Sequence, residues 1–127
     1  IEIEENIAPV EVDENTFRLD KVYFDVGQAS ILPESYGQLE GLLKMLQDNP
    51  KLKIEVVGHT DNQGDSKLNK RLSVRRALEV RQYLIGEGID GKRIKFKGMG
   101  DSAPIAQNDS EENRSQNRRV EFIILEK

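Results

Sequence analysis

An acidic and a basic side chain stand at a spacing that suits the binding of a small zwitterion. Asp61 lies between Gly58 and Gly64, and these glycines predict a turn after an alternating strand. Arg76 follows fifteen positions later, in a segment with helical periodicity. A carboxylate binds an ammonium group, and a planar guanidinium binds a carboxylate through two parallel hydrogen bonds. The pair therefore predicts a pocket for a ligand that carries both groups.

Both side chains also have structural interpretations. Most loop aspartates form Asx turns or cap helices, and an isolated helix arginine is usually a solvated charge. Leu72 and Val80, however, lie four residues before and four residues after Arg76, which places it on the inward side of the helix. Asp61 and Arg76 also suit a plain salt bridge with each other. Such a pair would be preorganised to exchange its internal contact for a zwitterion, so the two interpretations are compatible.

The single histidine raises the question of catalysis. His59 lies two positions before Asp61, and the two together imitate part of a metal or acid–base site. The chain has no cysteine, and its sequence contains no recognisable nucleophile elbow. We therefore expect a noncatalytic protein without a cofactor or a metal, in which His59 is a structural residue of the turn.

The elements that position these residues alternate between strands and helices. Alternating apolar residues predict strands at 21–26, 52–58, 93–97 and 120–124. Three- and four-residue spacing predicts a helix that begins near Pro33 and stops at Asn49. A second helix is expected from 67 to 86, capped by Asp65 or Ser66, with its core face formed by Leu68, Leu72, Ala77, Val80 and Leu84. Helices on one face of a mixed sheet indicate the α+β class, a two-layer sandwich with the order βαβαβ and a final strand.

Two polar segments remain. Residues 98–117 predict a long loop, which in a compact domain is usually functional or mobile. Residues 1–15 contain six acidic side chains and no Lys or Arg, and predict an acidic linker or an edge segment. Alternation at residues 1–4 permits a short edge strand. The segment that follows contains Pro9, which keeps that segment out of a sheet interior. The chain thus divides into residues 1–15 and a domain at 16–127.

Bulk properties exclude several classes of function. A length of 127 residues suits one domain, and a net charge of −4 argues against nucleic-acid binding and against nonspecific adhesion to an anionic polymer. Apolar runs fall short of the roughly 20 residues that span a bilayer. Because the chain begins with Ile rather than Met, we expect an excised part of a longer precursor.

Several motifs occur together in one characteristic order. They are Tyr23-Phe24-Asp25, Gly58-His59-Thr60-Asp61, Asn69 with Leu72-Ser73 and Arg76-Ala77, Gly98-Met99-Gly100 with Pro104, and Asn117-Arg118-Arg119-Val120-Glu121. Over about residues 16–126 the chain resembles the OmpA-like peptidoglycan-binding domain. This domain is the C-terminal module of outer-membrane and lipoprotein anchors and of flagellar stator proteins. The resemblance implies the same α+β fold.

The resemblance also implies a ligand and a site. In the family, the residue matching Asp61 holds the ammonium of meso-diaminopimelate, the cross-link residue of most Gram-negative peptidoglycan, and the residue matching Arg76 meets its carboxylate. The further site residues expected by resemblance or proximity are Thr60, Asn69, Leu72, Phe24, Asp25 and Arg118. For Arg118, a loop-pinning role is an equal alternative. Many family members carry small polar residues where Val26 follows Asp25, so contacts from that stretch are less secure.

These inferences predict a periplasmic, outer-membrane-associated protein that binds peptidoglycan and anchors the outer membrane, or an attached complex, to the cell wall. A stator-type wall anchor of a motor complex is an alternative within the same family. A protein–protein interaction domain that keeps the fold and uses the 98–117 loop is an alternative of another class.

Overall fold

Five strands form one mixed sheet, and two long helices pack on one of its faces. The computed structural model describes residues 8–25 and 27–127. The strands are β1 (Val10–Glu11), β2 (Thr16–Leu19), β3 (Lys53–His59), β4 (Ile94–Gly98) and β5 (Arg119–Glu126). They lie in the order β1-β2-β5-β3-β4, and only the β3/β4 pair is parallel. The predicted α+β class is confirmed.

Three α-helices accompany the sheet. They are α1 (Tyr36–Asp48), α2 (Ser66–Gly86) and α3 (Glu111–Asn117), with short 3-10 turns at Pro33–Ser35 and Gly91–Arg93. Helix α2 connects the parallel strands β3 and β4, as parallel pairing requires. It begins at the predicted cap, because the Asp65 carboxylate accepts hydrogen bonds from the backbone N–H groups of Lys67 and Leu68. No helix in the described ranges has the length and apolar composition needed to cross a bilayer.

The core lies between the helices and one face of the sheet. Alternation along β3 and β5 points Ile54, Val56, Val120 and Phe122 inward, where they are almost fully buried. Helix α1 contributes a buried leucine stripe and helix α2 a narrower stripe, and these are Leu39, Leu42, Leu43, Leu46, Ala77, Val80 and Leu84. The two-layer packing follows directly from these periodicities.

Helix α2 approaches the sheet most closely at two glycines. A side chain at Gly98 would place its Cβ 2.7 Å from the Ser73 carbonyl carbon, and one at Gly58 would place its Cβ 3.0 Å from the same carbon. The Ser73 hydroxyl uses this proximity to accept a hydrogen bond from the Gly100 N–H. The contact fixes the helix that carries Arg76 against the strand ends that carry Asp61.

The first core strand lies earlier in the chain than predicted. It is β2, which pairs with β5, whereas residues 21–25 form no regular strand apart from one bridge between Phe24 and Ile31. Tyr23 illustrates the reason, because its N–H donates to Ser35 Oγ and its carbonyl accepts from the Leu32 N–H. Its backbone thus bonds to the entry of α1 rather than to a strand. Val26, the last residue of the predicted strand, lies outside the described residues.

Two further expectations are corrected. Leu68 is 59% exposed, because the first turn of α2 projects beyond the sheet before the helix meets Gly58 and Gly98. The 98–117 loop contains helix α3, which begins where Ser110 Oγ accepts the Asn113 N–H. The acidic N-terminal segment contributes β1 to the sheet edge, just after Pro9. The alternation at residues 1–4 lies outside the described residues.

Candidate functional site

Arg76 is a buried cation held by backbone carbonyls. Its Nε donates to the Gln28 carbonyl at 2.8 Å, and its Nη2 donates to the Asp25 carbonyl at 3.1 Å. The guanidinium lies over the Phe24 ring, 4.9 Å from the ring centroid, in cation–π geometry. Only 5% of the residue is exposed. The segment before α1 therefore fixes the plane of the guanidinium.

Electrostatics make this cation receptive to an anion. Burial lowers the pKa of Arg76 to about 10, with repulsion from Arg118 acting in the same direction and Asp61 opposing both. The guanidinium is still protonated at neutral pH. Among the described residues, no carboxylate forms an ion pair with Arg76. A buried charge without an opposite partner is unfavourable, so a ligand carboxylate at this position would be stabilising.

A cavity of about 440 Å³ opens beside Arg76. Four arginines and one aspartate supply the charged groups of its wall, and these are Arg18, Arg76, Arg118, Arg119 and Asp20. Phe24, Tyr23 and Ile105 supply apolar and aromatic surface. Arg18, Arg118 and Arg119 each contact a carboxylate. Among the described residues, Arg76 is the arginine of this wall without such a partner, which favours a ligand with a carboxylate and an apolar portion.

Asp61 terminates the β3 edge of the site in a tightly bonded turn. Its Oδ1 accepts the Gln63 N–H at 2.9 Å, which is the predicted Asx turn. Thr60 Oγ1 donates to the Asp61 carbonyl, and Asn69 Nδ2 donates to the carbonyls of Gln63 and Asp61. The acid is only 7% exposed. Thr60 and Asn69 therefore contact the backbone of the turn and hold the Asp61 carboxylate in place.

Arg118 is the ion-pair partner of Asp61. Its Nη1 donates to Asp61 Oδ2 at 2.6 Å, while its Nη2 donates to Glu111 on α3. Burial would lower the pKa of Arg118, but Glu111 and Asp61 together raise it, and Arg118 in turn lowers the pKa of Glu111. The salt bridge of Asp61 with Arg76, one of the two alternatives from the sequence, does not form between these described residues.

The predicted site residues fall into two groups. Arg76, Phe24 and Arg118 line the cavity. Asp25 contributes its backbone carbonyl to Arg76, and Leu72 is half-buried one helical turn before it. Asp61 and Thr60 lie in the adjacent turn, which Asn69 of α2 contacts, and Arg118 of the cavity wall contacts the Asp61 carboxylate. A joint grip of Asp61 and Arg76 on one ligand stays a prediction.

A buried charge cluster on the sheet face opposite the core was not predicted from the sequence. Glu121 is contacted by Arg119 Nε at 3.0 Å, His59 Nε2 at 3.3 Å and Arg18 Nε at 3.6 Å. Burial would raise the pKa of Glu121, but His59 and Arg119 outweigh it and hold the pKa at about 2. The same alternation that placed Val120 inward places Arg119 and Glu121 outward, and this signal could have grouped them.

Asn117 is the second residue whose role was missed. It is fully buried, its Oδ1 accepts the N–H groups of Ile105 and Ala106, and its Nδ2 donates to Ala106 and Asn108. One side chain thus pins the 105–108 loop beside Arg118 at the cavity.

The model of the OmpA family matches residues 23–118. The chain is 40% identical over 105 residues to the Probable lipoprotein YiaD of Escherichia coli (strain K12), covering 83% of this chain and 48% of YiaD. It therefore spans about half the length of this relative.

Solved structures share the fold. A MotB-like protein from Desulfovibrio vulgaris superposes with a TM-score of 0.78 at 30% identity, covering 91% of this chain and 76% of that one. The peptidoglycan-associated lipoprotein of Burkholderia pseudomallei gives a TM-score of 0.76 at 27% identity, covering 87% and 90%. Because the family model spans most of the chain and the fold agrees, the chain belongs to the OmpA family.

Proposed function

We propose that this chain is a noncatalytic peptidoglycan-binding module that recognises the diaminopimelate residue of the stem peptide. Family membership supports the proposal, and so does the name of the similar lipoprotein from Burkholderia pseudomallei, which describes it as peptidoglycan-associated. The observation that carries it is the buried guanidinium of Arg76, without a carboxylate partner among the described residues, on the wall of an arginine-rich cavity.

The chemistry of diaminopimelate fits this arrangement. Its free end carries an ammonium and a carboxylate on one carbon, joined to an aliphatic chain. The carboxylate would bind Arg76 where the guanidinium has unused N–H groups, and the ammonium would bind the carboxylate of Asp61. The aliphatic chain would contact the Phe24 side of the cavity. Thr60 and Asn69 would act by holding the turn, and Asp25 by orienting Arg76.

The expected affinity for a single stem is low. A charge-assisted hydrogen bond contributes about 1.5–3 kcal/mol net, so two of them with modest packing give about 5–8 kcal/mol. This corresponds to a dissociation constant between about 1 μM and about 200 μM. Such affinity suits an anchor, because the wall is a polymer that presents many stems. We propose that the intact protein anchors the outer membrane, or an attached complex, to the wall from the periplasm.

The test is sedimentation with purified sacculi. Replacing Arg76 or Asp61 by Ala should reduce cosedimentation at least tenfold, because each change leaves one charge of the ligand unpaired at a buried site. Arg75→Ala is the matched control for Arg76→Ala, since it removes the same charge from the neighbouring exposed position of α2. Wall binding fails as a proposal if both site variants sediment as the parent does.

Competition identifies the ligand. Free meso-diaminopimelate should release the bound protein, whereas Nα-acetyl-lysine amide, which has a free terminal ammonium and no carboxylate, should be much weaker. Equal competition by both compounds would indicate a general charge effect rather than a zwitterion pocket. A chain that ignores sacculi and copurifies with a protein would support the alternative of an interaction domain.

A further inference from the structure

We infer that Arg118 competes with the ligand for Asp61. In the free protein, the Arg118 guanidinium is hydrogen-bonded to the Asp61 carboxylate. A ligand ammonium replaces it there, while Glu111 keeps its contact with the displaced guanidinium. The inference deepens the proposed function and rests on it for the identity of the ligand. It assigns Arg118 a role different from that of a group that grips the ligand's carboxylate.

Occupancy of the Asp61 carboxylate is the first argument. One of its oxygens accepts the Gln63 N–H, and the other accepts Arg118 Nη1 at 2.6 Å. Arg118 lines the cavity beside Arg76, and Asp61 is not part of the cavity wall. An ammonium that enters the cavity therefore meets a cation before it meets the acid. Each carboxylate oxygen keeps a further lone pair, but the side chain is only 9% exposed and Arg118 lies between it and the cavity. A ligand ammonium in the cavity therefore reaches the acid by displacing Arg118.

The asymmetry of the two carboxylates is the second argument. The side chain of Asp61 is 9% exposed and fixed in its turn, whereas that of Glu111 is 70% exposed at the start of α3. Arg118 contacts them through different nitrogens, Nη1 for Asp61 and Nη2 for Glu111. The guanidinium can therefore leave Asp61 without losing its second partner, and an exposed glutamate is free to follow it. Displacing Arg118 from Asp61 therefore costs less free energy than it would if Arg118 had no contact with Glu111.

Selectivity for an amino group is the consequence. A ligand ammonium replaces the charge that Arg118 withdraws, so the buried acid stays paired. A dicarboxylate without an amino group offers no replacement and would leave Asp61 unpaired if it displaced Arg118. Arg118 therefore raises the discrimination against stems or fragments that lack the free amino group, at some loss of affinity for the correct ligand.

The test is calorimetric titration of the whole chain with meso-diaminopimelate. Arg118→Gln should lower the Kd about three- to tenfold, because the ammonium no longer displaces a cation from Asp61. Glu111→Gln should raise the Kd about two- to threefold, because the displaced guanidinium loses its remaining partner. The matched controls are Arg75→Gln for the lost positive charge and Glu112→Gln for the lost negative charge, and both should leave the Kd unchanged.

A second measurement uses the unaltered chain and so does not depend on how the variants fold. The Nε–H resonance of Arg118 should shift on titration with meso-diaminopimelate, as its contact with Asp61 breaks. Pimelate, which has the same carbon chain and no amino groups, should leave this resonance unshifted. If the Arg118 resonance shifts with neither compound while the protein binds meso-diaminopimelate, the exchange is overturned.

The outcomes separate this inference from the proposed function. Weaker binding by Arg118→Gln would make Arg118 a direct carboxylate ligand, and unchanged binding would mean that it is not displaced. Either result overturns the exchange and leaves wall binding intact, provided that Asp61→Ala and Arg76→Ala still fail to bind. Absence of binding to sacculi and to meso-diaminopimelate in the parent and in Arg118→Gln overturns both.

Discussion

Three arginines around the site differ in the partners that hold them, and these partners set their roles. Arg76 is bonded to neutral carbonyls, so its charge stays available to a ligand. Arg118 shares two carboxylates of unequal exposure, which suits exchange. Arg119 is buried with Glu121 and donates to the carbonyls of Asn117 and Ala103, so it holds the cavity loop. Sequence spacing singled out Arg76, but only the partners distinguish Arg118 from Arg119.

The Glu121 cluster predicts acid sensitivity of folding. The pKa of Glu121 is about 2 in the folded chain against an ordinary value of 4.5, so the unfolded chain takes up the proton first. The stabilisation is present above about pH 4.5 and is lost as the pH falls towards 2, a loss on the order of 3 kcal/mol. The partners that face this carboxylate are His59 on β3, Arg119 on β5 and Arg18 on β2.

Urea unfolding between pH 2 and pH 6 measures this loss. Glu121→Gln should remove most of the decline in the free energy of unfolding between pH 4.5 and 2. Glu126→Gln is the control, because this residue of the same strand forms only an exposed pair with Lys53. An unaltered decline in Glu121→Gln would mean that other carboxylates govern acid unfolding.

At the scale of elements, periodicity predicted the helices and strands that contain several repeats of core residues. It did not predict the elements whose backbone bonds to distant parts of the chain. The long helices and the β3, β4 and β5 strands were predicted close to their positions, because each has several turns or alternations of core residues. The 21–26 segment has strand-like composition, but its backbone is bonded to the entry of α1. The true strand β2 carries only one alternation, Phe17 and Leu19 around Arg18, and so gives a weak signal.

The cavity beside Arg76 shows the same division. The turn around Asp61 and the helix position of Arg76 follow from local spacing, and both were identified. The Asp61–Arg118 contact spans 57 positions of sequence and Arg76–Asp25 spans 51, so no local pattern encodes either. Helix α3 did have a local signal, a serine cap followed by two glutamates in the first turn, which the polar composition of the segment obscured.

The contact between α2 and the sheet predicts a sharp difference between two glycines. Gly98→Ala should destabilise the chain by about 3 kcal/mol, because its Cβ would collide with Ser73 and the neighbouring backbone of α2. Gly41→Ala in α1 meets open space and should stabilise by about 0.5–1 kcal/mol, since alanine favours the helix. Thermal denaturation measures the difference in stability between the two variants. Comparable melting temperatures would contradict the close packing of α2.

At the scale of the whole molecule, charge is separated between surface and cavity. The chain carries a net charge of −4, yet four arginines and one aspartate line the cavity. An acidic surface disfavours diffuse adhesion to an anionic wall. Three of the cavity arginines contact carboxylates, whereas Arg76 has no carboxylate partner among the described residues and leaves one positive charge for a ligand. Under the proposed function, affinity would therefore come from the site around Arg76, and several weak sites acting together would bind the wall more strongly than one.

The repetition of stems in the wall predicts an effect of valency. Two copies of the chain joined by a flexible linker experience an effective stem concentration of about a millimolar on a sacculus. With a dissociation constant of about 100 μM, near the weak end of the expected range, the linked pair should be retained about tenfold more strongly than one copy. Arg76→Ala in one copy should return retention to that of the single chain, which excludes mass or linker effects as the cause. Release rates from immobilised sacculi measure the difference. Equal retention of the linked pair and its half-disabled form would mean that the copies do not act through their Arg76 sites, and would shift the account of wall binding to another surface.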